Sequence, residues 1–140
     1  MTLADICVTP LRRIATPGGD VMHAMKRVDP GFTDFGEAYF SWIESGAVKA
    51  WKLHQRMTLN LVVPVGAVRF VFHLPQGGFR TEEIGAANYA RLTVPPGIWF
   101  GFQGRADTPS LLLNLADIPH DPDEVLRKAQ PDIPFDWQSP

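Results

Sequence analysis

The chain has 140 residues, 45% of them hydrophobic and 20% charged, and 13 Lys and Arg against 15 Asp and Glu leave a formal charge of −2 at pH 7. That length and composition are those of an ordinary globular protein, read as one domain over residues 1–140 with a real buried core. The absence of a basic stripe argues against nucleic-acid binding, and the single Cys7 excludes an internal disulfide and a multi-cysteine metal site.

The opening MTLADICVTPLRR carries an acid where a secretory leader is basic, and it lacks a long apolar core. The most apolar run, LNLVVPVGAVRFVFHL, is interrupted by Pro64 and Arg69 and does not read as a membrane span. The expectation is a soluble, cytoplasmic protein with no membrane partner.

Thirteen prolines and twelve glycines, spread along the chain, predict many short strands and turns. GEAYFSWI and AVKAWKLHQRM read as strands separated by ESG. TLNLVV and AVRFVFHL follow, read as a hairpin through PVG. In the second of these, Val68, Phe70, Phe72 and Leu74 alternate with Ala67, Arg69, Val71 and His73, so one face is core and the other mixed. PQGG ends that strand. YARLTV then leads into PPGIWFGFQG, and SLLLNLADI forms a late, very apolar strand. The one helix signal is DPDEVLRKAQ, with Asp121 as cap, Pro122 at the first helical position and Glu124 completing a capping box. Strands this closely spaced, without long helices, predict an all-β fold: a small barrel or jelly roll with a short C-terminal helix. A sandwich with a solvent-facing outer sheet is the alternative.

Metal binding has little support. His23, His54, His73 and His120 form no H-x-H pair, and the stretch after PPG reads Ile98, Trp99, Phe100 where a second barrel histidine belongs. Nucleophilic catalysis has less, since no G-x-S-x-G elbow occurs and Cys7 has no evident partner. No glycine-rich phosphate loop is present.

The stretch WKLHQRMTLN is different. Lys52, His54 and Arg56 alternate along a strand and so share a face, either a washed outer surface or the wall of a pocket. In a shared pocket the two cations favour the neutral imidazole that proton abstraction needs, and they suit a diphosphate or other small anionic ligand. On a washed surface His54 has no task. Trp51, on the opposite face, reads as core, and Phe40 and Trp42 read as packing. Trp99 follows a proline–glycine turn, where it either stacks on a ligand ring at a pocket mouth or packs over the barrel end. Asn60 and Asn114 interrupt apolar strands and want hydrogen-bond partners from ligand or backbone. His120, in the loop after the late strand, joins the candidates for ligand contact.

Several of these segments, in order, resemble the dTDP-4-dehydrorhamnose 3,5-epimerase family of cupin-type jelly rolls. They are a strand ending in KLH, then VPVGAVRFVF, LTVPPGIWFGF, an apolar strand, DPDE and a closing IPFDW, together spanning residues 36 to 137. The resemblance implies a cupin-like double-stranded β-helix. It implies action on a nucleotide-linked 4-keto-6-deoxy sugar with no metal or redox cofactor: a histidine removes protons beside the ketone, a cation steadies the enolate, and a tyrosine returns the proton to the opposite face.

It places the histidine at His54. It places the tyrosine at Leu113, the enolate-stabilising lysine near Leu59, the PPG histidine at Phe100 and a strand arginine at Trp51, with Lys52 or Arg56 as replacement charge. The two tyrosines of the chain are Tyr39 and Tyr89. It also places an acid that orients the histidine in a tail beyond IPFDW, which the sequence up to Pro140 does not supply. The expected function is a divergent sugar-nucleotide epimerase or isomerase, with altered or lost activity. The alternative is a non-catalytic module binding a nucleotide sugar or another small molecule. The resemblance also implies a homodimer formed by extended sheet pairing.

Overall fold

The structure is a computed structural model describing residues 1–140. Its strands are β1 (Cys7–Pro10), β2 (Arg13–Ile14), β3 (Val21–Met22), β4 (Glu37–Ile43), β5 (Val48–His54), β6 (Leu59–Val65), β7 (Ala67–Leu74), β8 (Gly78–Gly85), β9 (Ala90–Val94), β10 (Trp99–Gly104), β11 (Ser110–Ala116) and β12 (Val125–Arg127). Two five-stranded antiparallel sheets face each other. The first runs β1-β9-β6-β11-β4 and the second β12-β5-β10-β7-β8, while β2 and β3 make a separate ribbon. The all-β, jelly-roll expectation holds. No helix is long and apolar enough to cross a membrane.

The main core lies between the sheets, where Leu59, Leu61 and Val63 of β6 meet Phe70 and Phe72 of β7 and Phe100 of β10. A second cluster, Trp51, Val71, Trp99, Ile133 and Trp137, covers the other face of the second sheet. The C-terminal segment builds that layer and is held there by Arg69, buried in β7, whose Nη2 donates to Trp137 O at 2.9 Å and Gln103 Oε1 at 2.8 Å. The mixed face of AVRFVFHL is therefore buried as well. A sheet covered on both sides loses the in–out alternation that a half-exposed strand displays.

Three expectations are corrected. TLNLVV and AVRFVFHL form no hairpin: β6 pairs with β9 and β11 in the first sheet, β7 with β8 and β10 in the second. Gly66 alone joins them, at φ 84°, and a one-residue link cannot fold a strand back onto its neighbour. The glycine turns the corner between sheets instead, where a Cβ would collide with Ser110. The hairpin partner of β7 is β8, which follows the PQGG turn and was not foreseen.

DPDEVLRKAQ is not a helix. Asp121 does cap, its Oδ1 accepting from Asp123 N at 3.0 Å, but the turn is a single 3-10 turn over Pro122–Glu124. Val125–Arg127 then extends along the free edge of β5, because an edge strand offers a full row of hydrogen bonds to the passing chain.

Phe40 and Trp42 do not pack inside, being 63% and 59% exposed. On β4 it is Tyr39, Ser41 and Ile43 that face the space between the sheets, with Ile43 in the core.

Candidate active site

Between the sheets, beside the main core, lies a cavity of about 120 Å³. The second sheet contributes Lys49, Lys52, His54, Phe100 and Phe102, and the first contributes Tyr39, Ser41, Leu59, Leu61, Leu112 and Asn114. The polar row of β5 thus points inward, and His54 is only 8% exposed.

His54 closes β5, packed against Phe100 with ring centroids 5.9 Å apart. Its Nδ1 lies 2.5 Å from Glu124 Oε1. Glu124 is 1% exposed, and its other oxygen accepts from the backbone N–H of Gln55 at 3.0 Å, Arg56 at 3.2 Å and Met57 at 3.4 Å. Burial pushes this carboxyl up, but the hydrogen bonds from His54, Arg56 and Met57 and the charge of His54 outweigh it and hold the group below its ordinary value of 4.5. An ionised Glu124 accepts from Nδ1–H, which leaves Nε2 as the ring nitrogen that can exchange a proton with a bound molecule. The pair has the parts of a general base and the carboxylate that orients it.

The acid expected in a tail beyond IPFDW thus comes from within the chain, in the DPDE segment. Sequence reading assigned Glu124 to a helix cap, and only the pairing of β12 with β5 brings it under His54.

Lys52 shares the wall. Burial, then the charges of Arg127 and Lys49, lower its pKa from the ordinary lysine value. Such an ammonium group is poised to take on an anionic partner. Lys49 was missed because strict alternation from His54 and Lys52 points it outward. A bulge opposite Phe100 and Gly101 shifts the register of β5 and turns it in. A Cβ at Gly101 would lie 2.6 Å from that of Ala50, so glycine permits this close approach. The Ala50–Trp51 peptide is cis.

A second depression of about 300 Å³ shares Lys49, Lys52, Phe100 and Phe102 with the cavity and adds Arg127 and Lys128. Four cations therefore stand around one opening, and no acidic side chain lines it.

The remaining sequence candidates scatter. Asn114 lines the cavity, with Nδ2 donating to Tyr39 Oη at 3.0 Å. Arg56 lies past the end of β5, where alternation stops, and its Nη2 pairs with Asp121 in solvent at 2.6 Å. Asn60 faces away from the cavity; its Nδ2 donates to Gly31 O, and its Oδ1 accepts from Thr93. Trp99 is buried in the outer cluster, with Lys128 Nζ 4.7 Å above its ring, so it braces a cation of the opening. His120 is exposed, its backbone N–H donating to Glu37 Oε1. Trp51 is core, as read. No three His, Cys, Asp or Glu side chains converge to hold a metal ion.

No family model matches the sequence. A curated relative, the probable low-salt glycan biosynthesis epimerase Agl13 of Haloferax volcanii, is 33% identical over 98 residues. The match covers 62% of this chain and 62% of that protein, so it spans less than two thirds of the relative's length. The crystal structure of a dTDP sugar isomerase from Desulfovibrio desulfuricans G20 superposes with a TM-score of 0.89 at 39% identity, covering 95% of this chain and 90% of that one. A dTDP-4-dehydrorhamnose 3,5-epimerase from Bacillus anthracis, with TDP and pyrophosphate bound, superposes with a TM-score of 0.80 at 19% identity over 100% of this chain and 90% of its own. That last likeness speaks for the fold.

Proposed function

We propose that this chain, which belongs to the dTDP-4-dehydrorhamnose 3,5-epimerase-like family, takes a nucleotide-linked 4-keto-6-deoxy sugar and moves a proton at a carbon beside the ketone. The observation that carries this reading is the His54–Glu124 pair, 2.5 Å apart, at the wall of a cavity that also holds Lys52.

The ketone acidifies its neighbouring carbons, and His54 Nε2 takes a proton from one of them. Glu124 steadies the imidazolium that forms. Lys52 donates to the enolate oxygen, so the developing charge meets a fixed cation in a space largely closed to water. The diphosphate lies outward on Lys49, Arg127 and Lys128, which screens the mutual repulsion of these cations.

Incubation with dTDP-4-keto-6-deoxy sugars in deuterated water tests the reading. Deuterium is expected at a carbon flanking the ketone, and a folded wild-type protein that exchanges none of them overturns it. Lys52→Ala is expected to raise KM and lower kcat together, because this residue serves both binding and the enolate. A change in neither would remove Lys52 from the reaction.

We also propose that two copies associate through the outer face of β4 and β11. There Phe40 and Trp42 are exposed beside Leu111, Leu113 and Leu115, and β4 is a free edge. Trp42→Glu is expected to halve the mass seen by sedimentation. A monomeric wild type, or an unchanged mass in the variant, overturns this assembly.

A further inference from the structure

We infer that a second anion site, built on Arg91, Arg12 and Lys26, lies on the outer face of the first sheet and takes one inorganic phosphate ion. The site is independent of the proton-transfer reading above.

Arg91 belongs to β9, where Ala90, Leu92 and Val94 point into the core, so alternation turns Arg91 to the opposite face. The segment from His23 to Pro30 covers it there and leaves it 0% exposed. Its Nη1 donates to Ala24 O at 2.8 Å and its Nη2 to Pro30 O at 2.7 Å. Nε is buried and has no hydrogen-bond partner. The one acid in reach is Asp29, whose Oδ2 stands 3.6 Å from Nη1. Burial works against the guanidinium charge, and Asp29 offsets that only in part.

A cavity of about 90 Å³ opens over this position, and Arg91, as the fully buried member of its lining, forms the floor. Arg12, His23, Lys26 and Asp29 stand around it. Arg12 and Lys26 pair with no acid of the chain, so three cations surround a space that holds one carboxylate. Pinning the segment does not account for that grouping. Ala24 and Pro30 need only Arg91, and further cations beside a buried one repel it. An anion in the cavity turns this repulsion into attraction and gives the charged N–H groups acceptors.

The space is formed before anything enters it. His23 N–H donates to Arg12 O at 3.0 Å, Tyr89 Oη to His23 O at 2.9 Å, and Lys26 N–H to Asp29 Oδ2 at 2.7 Å. Binding therefore orders little new backbone.

Size and charge select the ion. The cavity is far below the roughly 300 Å³ at which pockets for drug-sized molecules begin, so it suits one tetrahedral oxyanion. Asp29 discriminates further, because its Oδ1 accepts from no group of the protein. A carboxylate beside an anion repels it unless the anion brings a proton. Monohydrogen phosphate has an O–H to donate to Oδ1, and sulfate has none. The site shares no residue with the opening around Lys52.

The test titrates isotope-labelled protein with inorganic phosphate at constant ionic strength, followed by amide NMR. Phosphate also suits the cations of the opening, so the titration is repeated in a variant carrying Arg127→Gln and Lys128→Gln. In both proteins the amide signals of Arg12, His23 and Lys26 are expected to move together and saturate. Adding Arg12→Gln and Lys26→Gln, both at exposed positions, is expected to weaken that binding by about tenfold or more. Sulfate is expected to bind the wild type at least about tenfold more weakly than phosphate, since it leaves Asp29 without a donor. Still signals at these amides, an unchanged affinity after the Arg12 and Lys26 substitutions, or sulfate bound as tightly as phosphate would each overturn the inference.

Discussion

His54→Asn is expected to slow isotope exchange beside the ketone by about 10²–10⁴-fold, the usual contribution of a positioned general base. Asparagine is a controlled replacement here. Its amide still donates to Glu124, so the buried carboxylate keeps a partner and the end of β5 keeps its anchor. What is lost is the Nε2 lone pair. The cations around the opening are untouched, so dTDP is expected to bind the variant as it binds wild type in a calorimetric titration. Exchange at the wild-type rate would remove His54 from the chemistry. Loss of dTDP binding along with exchange, in a folded variant, would make His54 a binding group instead.

Glu124→Ala is expected to carry the largest stability cost of any single change in the site. One carboxylate satisfies the His54 ring and the N–H groups of Gln55, Arg56 and Met57, and all of this lies at a buried position. Removing one partner of a buried pair costs about 3–5 kcal/mol. At this chain length that is roughly a 10–20 °C drop in Tm by calorimetry. Activity falls as well, by at least about 10²-fold, because the base loses both its tautomer and its orientation.

Glu124→Gln keeps the shape and separates the two effects. It is expected to recover most of the stability and little of the rate, since an amide cannot stabilise the imidazolium. A Tm within 2 °C of wild type for the alanine variant, about the shift that 1 kcal/mol gives in a longer domain, would contradict the proposed anchoring.

The pH dependence has a definite sign. The Glu124 carboxyl is held below 4.5 in the folded chain, so the unfolded chain binds the proton more readily. The stability it supplies is complete above 4.5 and is lost as pH falls through the lower folded value. Wild type should therefore lose Tm on acidification below 4.5 more steeply than Glu124→Gln does.

That Lys52 and His54 share one face of β5 was legible because a strand has period two; whether that face was a washed surface or a pocket wall was left open by the pattern, and the packing of the two sheets turned it inward. Arg56 failed for the same reason in reverse: the strand ends at His54, and the period ends with it. Lys49 was hidden by a bulge, which slips the register by one residue and leaves no mark in the local pattern. Glu124 was hidden by its own segment. D-P-D-E is a helix start by any local rule, and the unpaired edge of β5 overrode it. Tyr39 was visible as a residue and invisible as a site residue, since GEAYFSWI gives two apolar faces. Which of them turns inward depends on where β4 lies beside β11.

By itself the sequence determined an all-β chain, seven of its twelve strands, the turn glycines and a base candidate. Those follow from local periodicity and from residues with special backbone freedom. Only the tertiary structure decided that the two most apolar strands part into different sheets, that an acid 70 residues from His54 completes its pair, and that a tyrosine faces it across the cavity. Contacts between positions far apart in the chain are set by which edges and faces find one another, and no local pattern records that choice.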